Sequence, residues 1–427
     1  MATRTRPATR RRSAARCRRC RRWTSSVVDR PSRGRGPLSR LVALAGAVAL
    51  AAGLVSGCRP AHPPPVAFHA EGQPESLSEW HLFDMADGRL ELNERVLPYD
   101  LNSALFTDYA HKLRTVWMPE GTSAHYDANE AFDFPVGTII SKTFYYPRIE
   151  GEPRDSQAVL RSQGHEGQLP GGQLELDKVR LLETRLLVRR ESGWVALPYV
   201  WNAEQTEARL MRAGDLVPLT LVDASGSREE AAYQVPDQNQ CAGCHVSDLS
   251  TREFQPIGPK ARHLNRDLAY PGVDGEAVVA NQLAQWQRMG YLDGLPEASA
   301  VPRVANWQDA AESVDARARA YLDINCSHCH SAAGPGNTSG LWLASDVSEP
   351  LRLGRCKLPI AAGHGTGDRR FDIVPGKPDE SILTYRMIST DPGVMMPELG
   401  RSVTHAEGVE LIREWIAAQH GECGNTG

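Results

Sequence analysis

The pentapeptide Cys241-Ala242-Gly243-Cys244-His245 and its counterpart Cys326-Ser327-His328-Cys329-His330, 85 residues later, constrain this chain more than any other feature. Two cysteines three positions apart can each form a thioether with one vinyl group of a haem. A histidine directly after the second cysteine then lies against the porphyrin as an axial ligand to iron, and C-x-x-C-H is the spacing of c-type haem attachment. The two copies predict covalent haem at Cys241 and Cys244 and at Cys326 and Cys329, with His245 and His330 as proximal iron ligands.

Three other chemistries compete for these residues. One zinc site from all four cysteines would need its pairs about 80 residues apart, against roughly 15–20 in compact zinc ribbons, and would leave both trailing histidines without a role. A thioredoxin-like redox pair needs a βαβ context and no following histidine. Disulfides within each motif again ignore the histidines.

Opposite His330, the expected ligand is Met396 in GVMMPELG, 66 residues on and directly before Pro397. Met395 is the near alternative, and Met387 reads as core. Methionine opposite histidine raises the potential and saturates the iron, which favours electron transfer over small-ligand chemistry. His328 reads as an exposed side chain near the haem edge. For the first haem, Met289 and His263 are the distal candidates, with an open site as the remaining alternative. Cys356 and Cys423 stand outside the motifs and, in an exported chain, are expected to form a disulfide.

Export itself is read from the leader. Residues 1–57 hold 14 of the 48 basic residues, all arginine, and a single acid, Asp29; the remainder carries 34 bases against 51 acids, a net charge of −17. Such a body repels nucleic acid and favours a basic partner. The apolar run from Leu41 to Val55, closing on Ser56-Gly57-Cys58, has the length and small-residue ending of a signal peptide rather than of a membrane span. It resembles a bacterial lipobox, which makes Cys58 the acylated first residue of a lipoprotein; an ordinary secretory signal is the alternative. The long basic stretch ahead of it implies a start placed too far upstream, so Cys17 and Cys20 carry no meaning. Periplasmic or outer-membrane localisation follows, with the chain anchored through Cys58.

Residues 58–69 read as a Pro-rich tether, 70–235 as a β-rich domain, 236–305 as the first haem-attachment region and 306–427 as a second haem domain. Expected strands include KLRTVWM, GTIISKTFYY and the hairpin LETRLLVRR/WVALPYVWN. Expected helices are EAVVANQLAQWQRM, with Val279, Leu283 and Trp286 on one face; SVDARARAYLDINC, capped by Ser313; SILTYRM; and THAEGVELIREWIAAQ, opened by a Thr404/Glu407 capping box.

On these motifs, residues 313–420 resemble a class I cytochrome c domain: SVDARARAYLDINCSHCH, DIVPGKPDESILTYRM, MMP and REWIAAQ. More widely, YDLNSALFTDYAHKLRTVWMPEG, FPVGTIISKTF, VPDQNQCAGCH and NQLAQWQRMGYL resemble a bacterial family of dihaem c-type cytochrome lipoproteins of undefined substrate, from about Leu77 onward. The resemblance implies electron transfer at the cell envelope and a companion parallel β-helix lipoprotein. The expected architecture is multidomain α+β: an N-terminal β-rich domain followed by an α-helical cytochrome c region with two haem-attachment motifs. The expected function is single-electron transfer between a donor and an acceptor protein through two covalent c-type haems. A haem enzyme with an open first site, acting as a peroxidase or oxidoreductase, and a partner- or glycan-binding module with ancillary haems are the alternatives.

Overall fold

Strand-forming residues dominate between residues 83 and 235, and in the computed structural model, which describes residues 63–246, 248–271, 276–360 and 362–424, they build sheets. The leader, Cys17, Cys20 and the lipobox cysteine Cys58 lie outside the described residues. In chain order the strands are β1 (Phe83–Ala86), β2 (Arg89–Leu92), β3 (Leu97–Tyr99), β4 (His111–Trp117), β5 (Ala124–His125), β6 (Ile139–Pro147) and β7 (Ala158–Leu160). They continue as β8 (Gln168–Leu169), β9 (Gln173–Glu175), β10 (Val179–Arg190), β11 (Gly193–Trp201), β12 (Ala208–Leu210), β13 (Asp215–Val222) and β14 (Arg228–Val235). The chain then alternates: α1 (Gln238–His245), α2 (Ala261–Leu264), β15 (Asp267–Pro271), β16 (Ala277–Asn281), α3 (Gln282–Arg288), β17 (Leu292–Asp293), α4 (Val314–Cys326), α5 (Ile382–Ile388) and α6 (Ala406–Ala417).

The central sheet is antiparallel throughout, in the order β12-β11-β10-β6-β4-β3. Its longest hairpin joins β10 to β11, with Arg190 opposite Gly193; the turn closes because Gly193 takes φ 115°, which a residue without Cβ adopts readily. A four-stranded sheet (β1-β2-β9-β8) and a three-stranded one (β14-β13-β7) are interleaved with it along the chain.

Period-two alternation gives the central sheet two different faces. On one, Ile139 and Tyr145 of β6 pack with Trp80, Leu113, Leu186, Val188 and Tyr199. Burying a side chain such as Leu186 stabilises the fold by roughly 1.5–3 kcal/mol, and the polar residues among them are paired, Thr115 with Ser141 at 2.6 Å and Thr143 with Thr184 at 2.8 Å. On the other face Ile140 joins Val116, Leu187, Trp194 and Trp286. Further along that face Phe144 and Tyr146 join Leu182, Leu219 and Tyr233. Between these two apolar clusters the face carries the cations Arg114, Lys142 and Arg185, which line a cavity.

Several expectations are corrected. The multidomain α+β architecture with an α-helical cytochrome c region is overturned. Pro63–Gly427 forms one compact unit. The described residues hold six short α-helices, the longest 13 residues, and no group of three or more His, Cys, Asp or Glu side chains that could hold a metal ion. Between α4 and α5 no α-helix forms among the described residues, and Gly334-Pro335-Gly336, Gly363, Gly365, Gly367 and Pro375-Gly376 interrupt that stretch. The helix expected from Glu276 starts only at Gln282: Asn281 Oδ1 caps it, accepting from Leu283 N at 3.0 Å and Ala284 N at 3.4 Å, while Ala277–Asn281 pairs with β15 as a strand and leaves Val279 exposed. The Thr404/Glu407 capping box is absent, because Thr404 donates to Ile388 O and Glu407 accepts from Tyr109 instead. Residues 63–69 run in extended form against the first face. Val66 and Phe68 pack on its apolar cluster, and Asn93 Nδ2 donates to Pro64 O at 2.8 Å.

Candidate functional site

Pro236 ends β14, and the next residue starts a helix. Asp237 Oδ1 accepts from Gln240 N at 2.7 Å while Gln240 Oε1 accepts from Asp237 N at 3.0 Å, so a capping box opens α1. The first motif is therefore itself helical, with Cys241 in the first turns and His245 as the last residue. The second motif leaves the end of α4, whose start is capped by Ser313 Oγ accepting from Ala316 N at 3.2 Å. Its backbone then curls back, His330 N donating to Cys326 O at 2.8 Å.

These two segments meet in space. Cys241, Cys244, His245, Cys326, His328, Cys329 and His330 all line one cavity of about 530 Å³, walled on one side by the cationic stretch of the central sheet. A volume of that size lies within the range of cofactor pockets. The four motif thiols are unpaired, whereas Cys356 and Cys423 form a disulfide with Cα atoms 5.1 Å apart.

Both trailing histidines are held by the nitrogen that an iron ligand does not use. His245 Nδ1 pairs with Gln255 O at 2.8 Å, and its ring stacks on Phe254, centroids 4.9 Å apart and 12° from parallel. His330 Nδ1 pairs with Ser339 Oγ at 3.0 Å, and Gly336 lies so close that a Cβ there would meet the ring at 3.2 Å. Neither Nε2 has a hydrogen bond among the described residues. An outer partner on one ring nitrogen fixes the tautomer and leaves the other as a metal donor. The residues present therefore fit a haem tethered at each motif.

Electrostatics agree with neutral donors. Burial pushes the Cys326 and Cys329 thiols up to about 12, and raises those of Cys241 and Cys244. A redox pair needs a depressed thiol, and none of these has one. Burial lowers His245 to about 3 and His328 and His330 to about 4, so all three imidazoles are uncharged at neutral pH. Lys142 and His328 are among the groups that add to the effect at His245.

Among the methionines, Met396 and Met387 line the cavity, and Met395 is buried elsewhere. Met387 also packs into the apolar cluster of α4 and α6. The loop carrying Met396 is braced from both sides: Met396 N donates to Arg386 O at 3.0 Å, and the buried Arg401 donates through Nη2 to Met396 O at 3.0 Å and to Ser389 O at 2.7 Å. Met289 follows α3 as its C-cap, packs in the second apolar cluster and is not among the residues lining the cavity. His263 reaches the lining, but its Nε2 donates to Asp323 Oδ2 at 2.8 Å. His328, read as exposed, lines the cavity and has no hydrogen bond among the described residues.

Sequence reasoning missed the sheet's share of the site: Lys112, Arg114, Lys142 and Arg185 all line the cavity. A signal was present, since period-two alternation in GTIISKTFYY puts Lys142 on the face of Ile140 and Phe144. No protein-family model, curated protein or solved structure matches the chain. Among the described residues no helix is long and apolar enough to cross a membrane.

Proposed function

We propose that this chain is a c-type haem protein carrying two covalent haems and passing single electrons between protein partners. The observation that carries the reading is the convergence of both C-x-x-C-H motifs on one cavity, each with its histidine Nδ1 already engaged. Cys241 and Cys244 would tether one haem and Cys326 and Cys329 the other, with His245 and His330 presenting Nε2 to iron. Bound haem would supply a one-electron couple. Around it, Phe254 and Gln255 orient His245, Ser339 and Gly336 orient His330, and Arg386 and Arg401 fix the loop that offers Met396. Two tethered groups sharing one cavity need no diffusing intermediate between them, which suits electron transfer.

For the second ligand of the first haem the reading turns from Met289 and His263 to His328, the cavity imidazole that has no hydrogen bond among the described residues. The chain is read as exported and anchored through Cys58, facing the periplasm or outside. Its acidic body favours donor and acceptor proteins with a basic docking face. The companion β-helix lipoprotein rests on the family resemblance alone. An enzyme with an open first haem is the second reading, favoured by the absence of Met289 from the cavity lining.

The deciding experiment is expression with a c-type maturation system, followed by a haem stain on a denaturing gel and a haemochrome assay. Two covalent haems per chain are expected, and a chain without covalent haem ends the reading.

A further inference from the structure

Three cations stand in a single row across the cavity face of the central sheet. Lys142 of β6 lies directly opposite Arg114 of β4 on one side and Arg185 of β10 on the other. All three line the cavity that holds both motifs. Like charges directly opposite one another in a sheet destabilise it, and taking them out of water adds to that. Two of the three have local carboxylates. Arg114 Nη1 donates to Asp100 Oδ1 at 2.9 Å, and Arg185 donates to Glu183 through Nε at 2.9 Å and Nη2 at 2.5 Å. Glu183 is further committed to Tyr233, whose hydroxyl donates to it at 2.6 Å.

Lys142 has no such partner: among the described residues it makes no hydrogen bond and no ion pair. Neighbouring Lys112, also facing the cavity, donates only to the carbonyls of Leu105 and Ala110, both at 3.0 Å. The Phe144 ring between them lies under Arg185, 4.4 Å from its centroid, and under Lys112 at 5.5 Å. Burial, then the charges of Arg114 and Arg185, pull the Lys142 ammonium down to about 7, with Cys244 among the groups that oppose this. The wall facing the first motif thus has one more cation than its own carboxylates answer.

We infer that the Arg114–Lys142–Arg185 row is a carboxylate-binding site, with Lys142 as its unfilled donor, and that its ligand is a propionate of the haem tethered at Cys241 and Cys244. This rests on the dihaem reading above. A carboxylate there would receive charge-assisted hydrogen bonds, stronger than neutral ones, and would offset the repulsion along the row. Lys142 would be a positioning residue, holding the haem edge rather than the iron.

The test uses the purified holoprotein. Haem content is measured first, then the two reduction potentials and the propionate-bending band of the resonance Raman spectrum, for wild type, Lys142→Met, Lys142→Gln and Lys142→Arg. Loss of the cation leaves the propionate charge unanswered and disfavours the added electron. One potential is therefore expected to fall in the Met and Gln variants while the other holds, with a shift of the propionate band; Lys142→Arg keeps both near wild type. Gln serves if the Met variant does not accumulate. Two haems with both potentials unmoved overturn the inference alone. A lowered potential with an unmoved propionate band overturns it too, since the charge then acts without contact. Absence of covalent haem overturns the dihaem reading, and this site with it.

Discussion

Asp323 ties the helix that carries the second motif to the segment behind the first, and its removal has a magnitude that the geometry sets. The carboxylate is fully buried and accepts from Arg262 Nε at 2.7 Å, Arg262 Nη2 at 2.9 Å and His263 Nε2 at 2.8 Å. Burial pushes this carboxyl upward, and the hydrogen bonds and charge of its partners outweigh that, holding it well below the usual carboxylate range. Burial also lowers His263, so the pair is an ionised Asp323 facing a neutral imidazole, with Arg262 carrying the opposing charge. Breaking a buried pair by removing one partner costs about 3–5 kcal/mol. Asp323→Asn keeps the volume and opens no cavity, and Arg262 retains Nη1 on Asn129 O at 2.5 Å, so the lower end, about 3 kcal/mol, is expected. Equilibrium urea unfolding of the holoprotein measures it. Because the folded carboxyl is depressed, its contribution is complete above the unfolded value, about 3.9, and is lost as pH falls through the folded one. The gap between wild type and Asp323→Asn should therefore be full at neutral pH and narrow in acid. A loss below about 1 kcal/mol at neutral pH, less than the range for a broken buried pair, or a gap that stays constant into acid, would refute the reasoning.

The Cys356–Cys423 disulfide closes a loop of 67 residues, for which chain-entropy arguments give about 4 kcal/mol; Cys356→Ala should lower the urea midpoint accordingly, and an unchanged midpoint would show that the bridge constrains little. Met396→Ala should abolish the charge-transfer band of methionine-ligated ferric haem while Met395→Ala keeps it, because Met396 lines the cavity and Met395 does not; the opposite pattern would reassign the ligand. His328→Leu should let the reduced protein bind CO at one haem, whereas wild type binds none. Stoichiometric CO binding by wild type would favour the enzyme reading.

The parts of the fold that were legible in the sequence are those decided locally. The β10–β11 hairpin follows from alternation and a glycine in the turn, and α4 from the Ser313 cap and the burial of Ala318, Tyr321 and Leu322 on one face. Locally decided features can also mislead when tertiary contacts outbid them. The Ala277–Asn281 segment has a helical pattern, but β15 offers it a ladder and Asn281 a cap, so the helix starts five residues later than its first apolar position implies. The Thr404/Glu407 box loses to Tyr109, a residue nearly 300 positions away whose hydroxyl takes Glu407 at 2.6 Å. Similarity of the segments after residue 313 to a helical domain was carried by those same local patterns. It said nothing of the glycine- and proline-rich chain between them.

What was illegible in the candidate site is the half that depends on register. Alternation puts Lys142 on the face of Ile140 and Phe144, but each of Arg114, Lys142 and Arg185 alone reads as an ordinary polar residue in a strand. Only the pairing β4-β6-β10, in which chain neighbours in the sheet are separated by 20 residues or more, sets them side by side. A one-residue slip of β6 would bring Ser141 or Thr143 face to face with the arginines and send Lys142 into the apolar cluster around Tyr145, so the register is strongly determined by the core on the far side. The aliphatic and aromatic residues of that core therefore impose the cationic row on the cavity side. A row that the sheet's own energetics disfavour, held in position by packing elsewhere, is the pattern expected where a ligand supplies the missing charge.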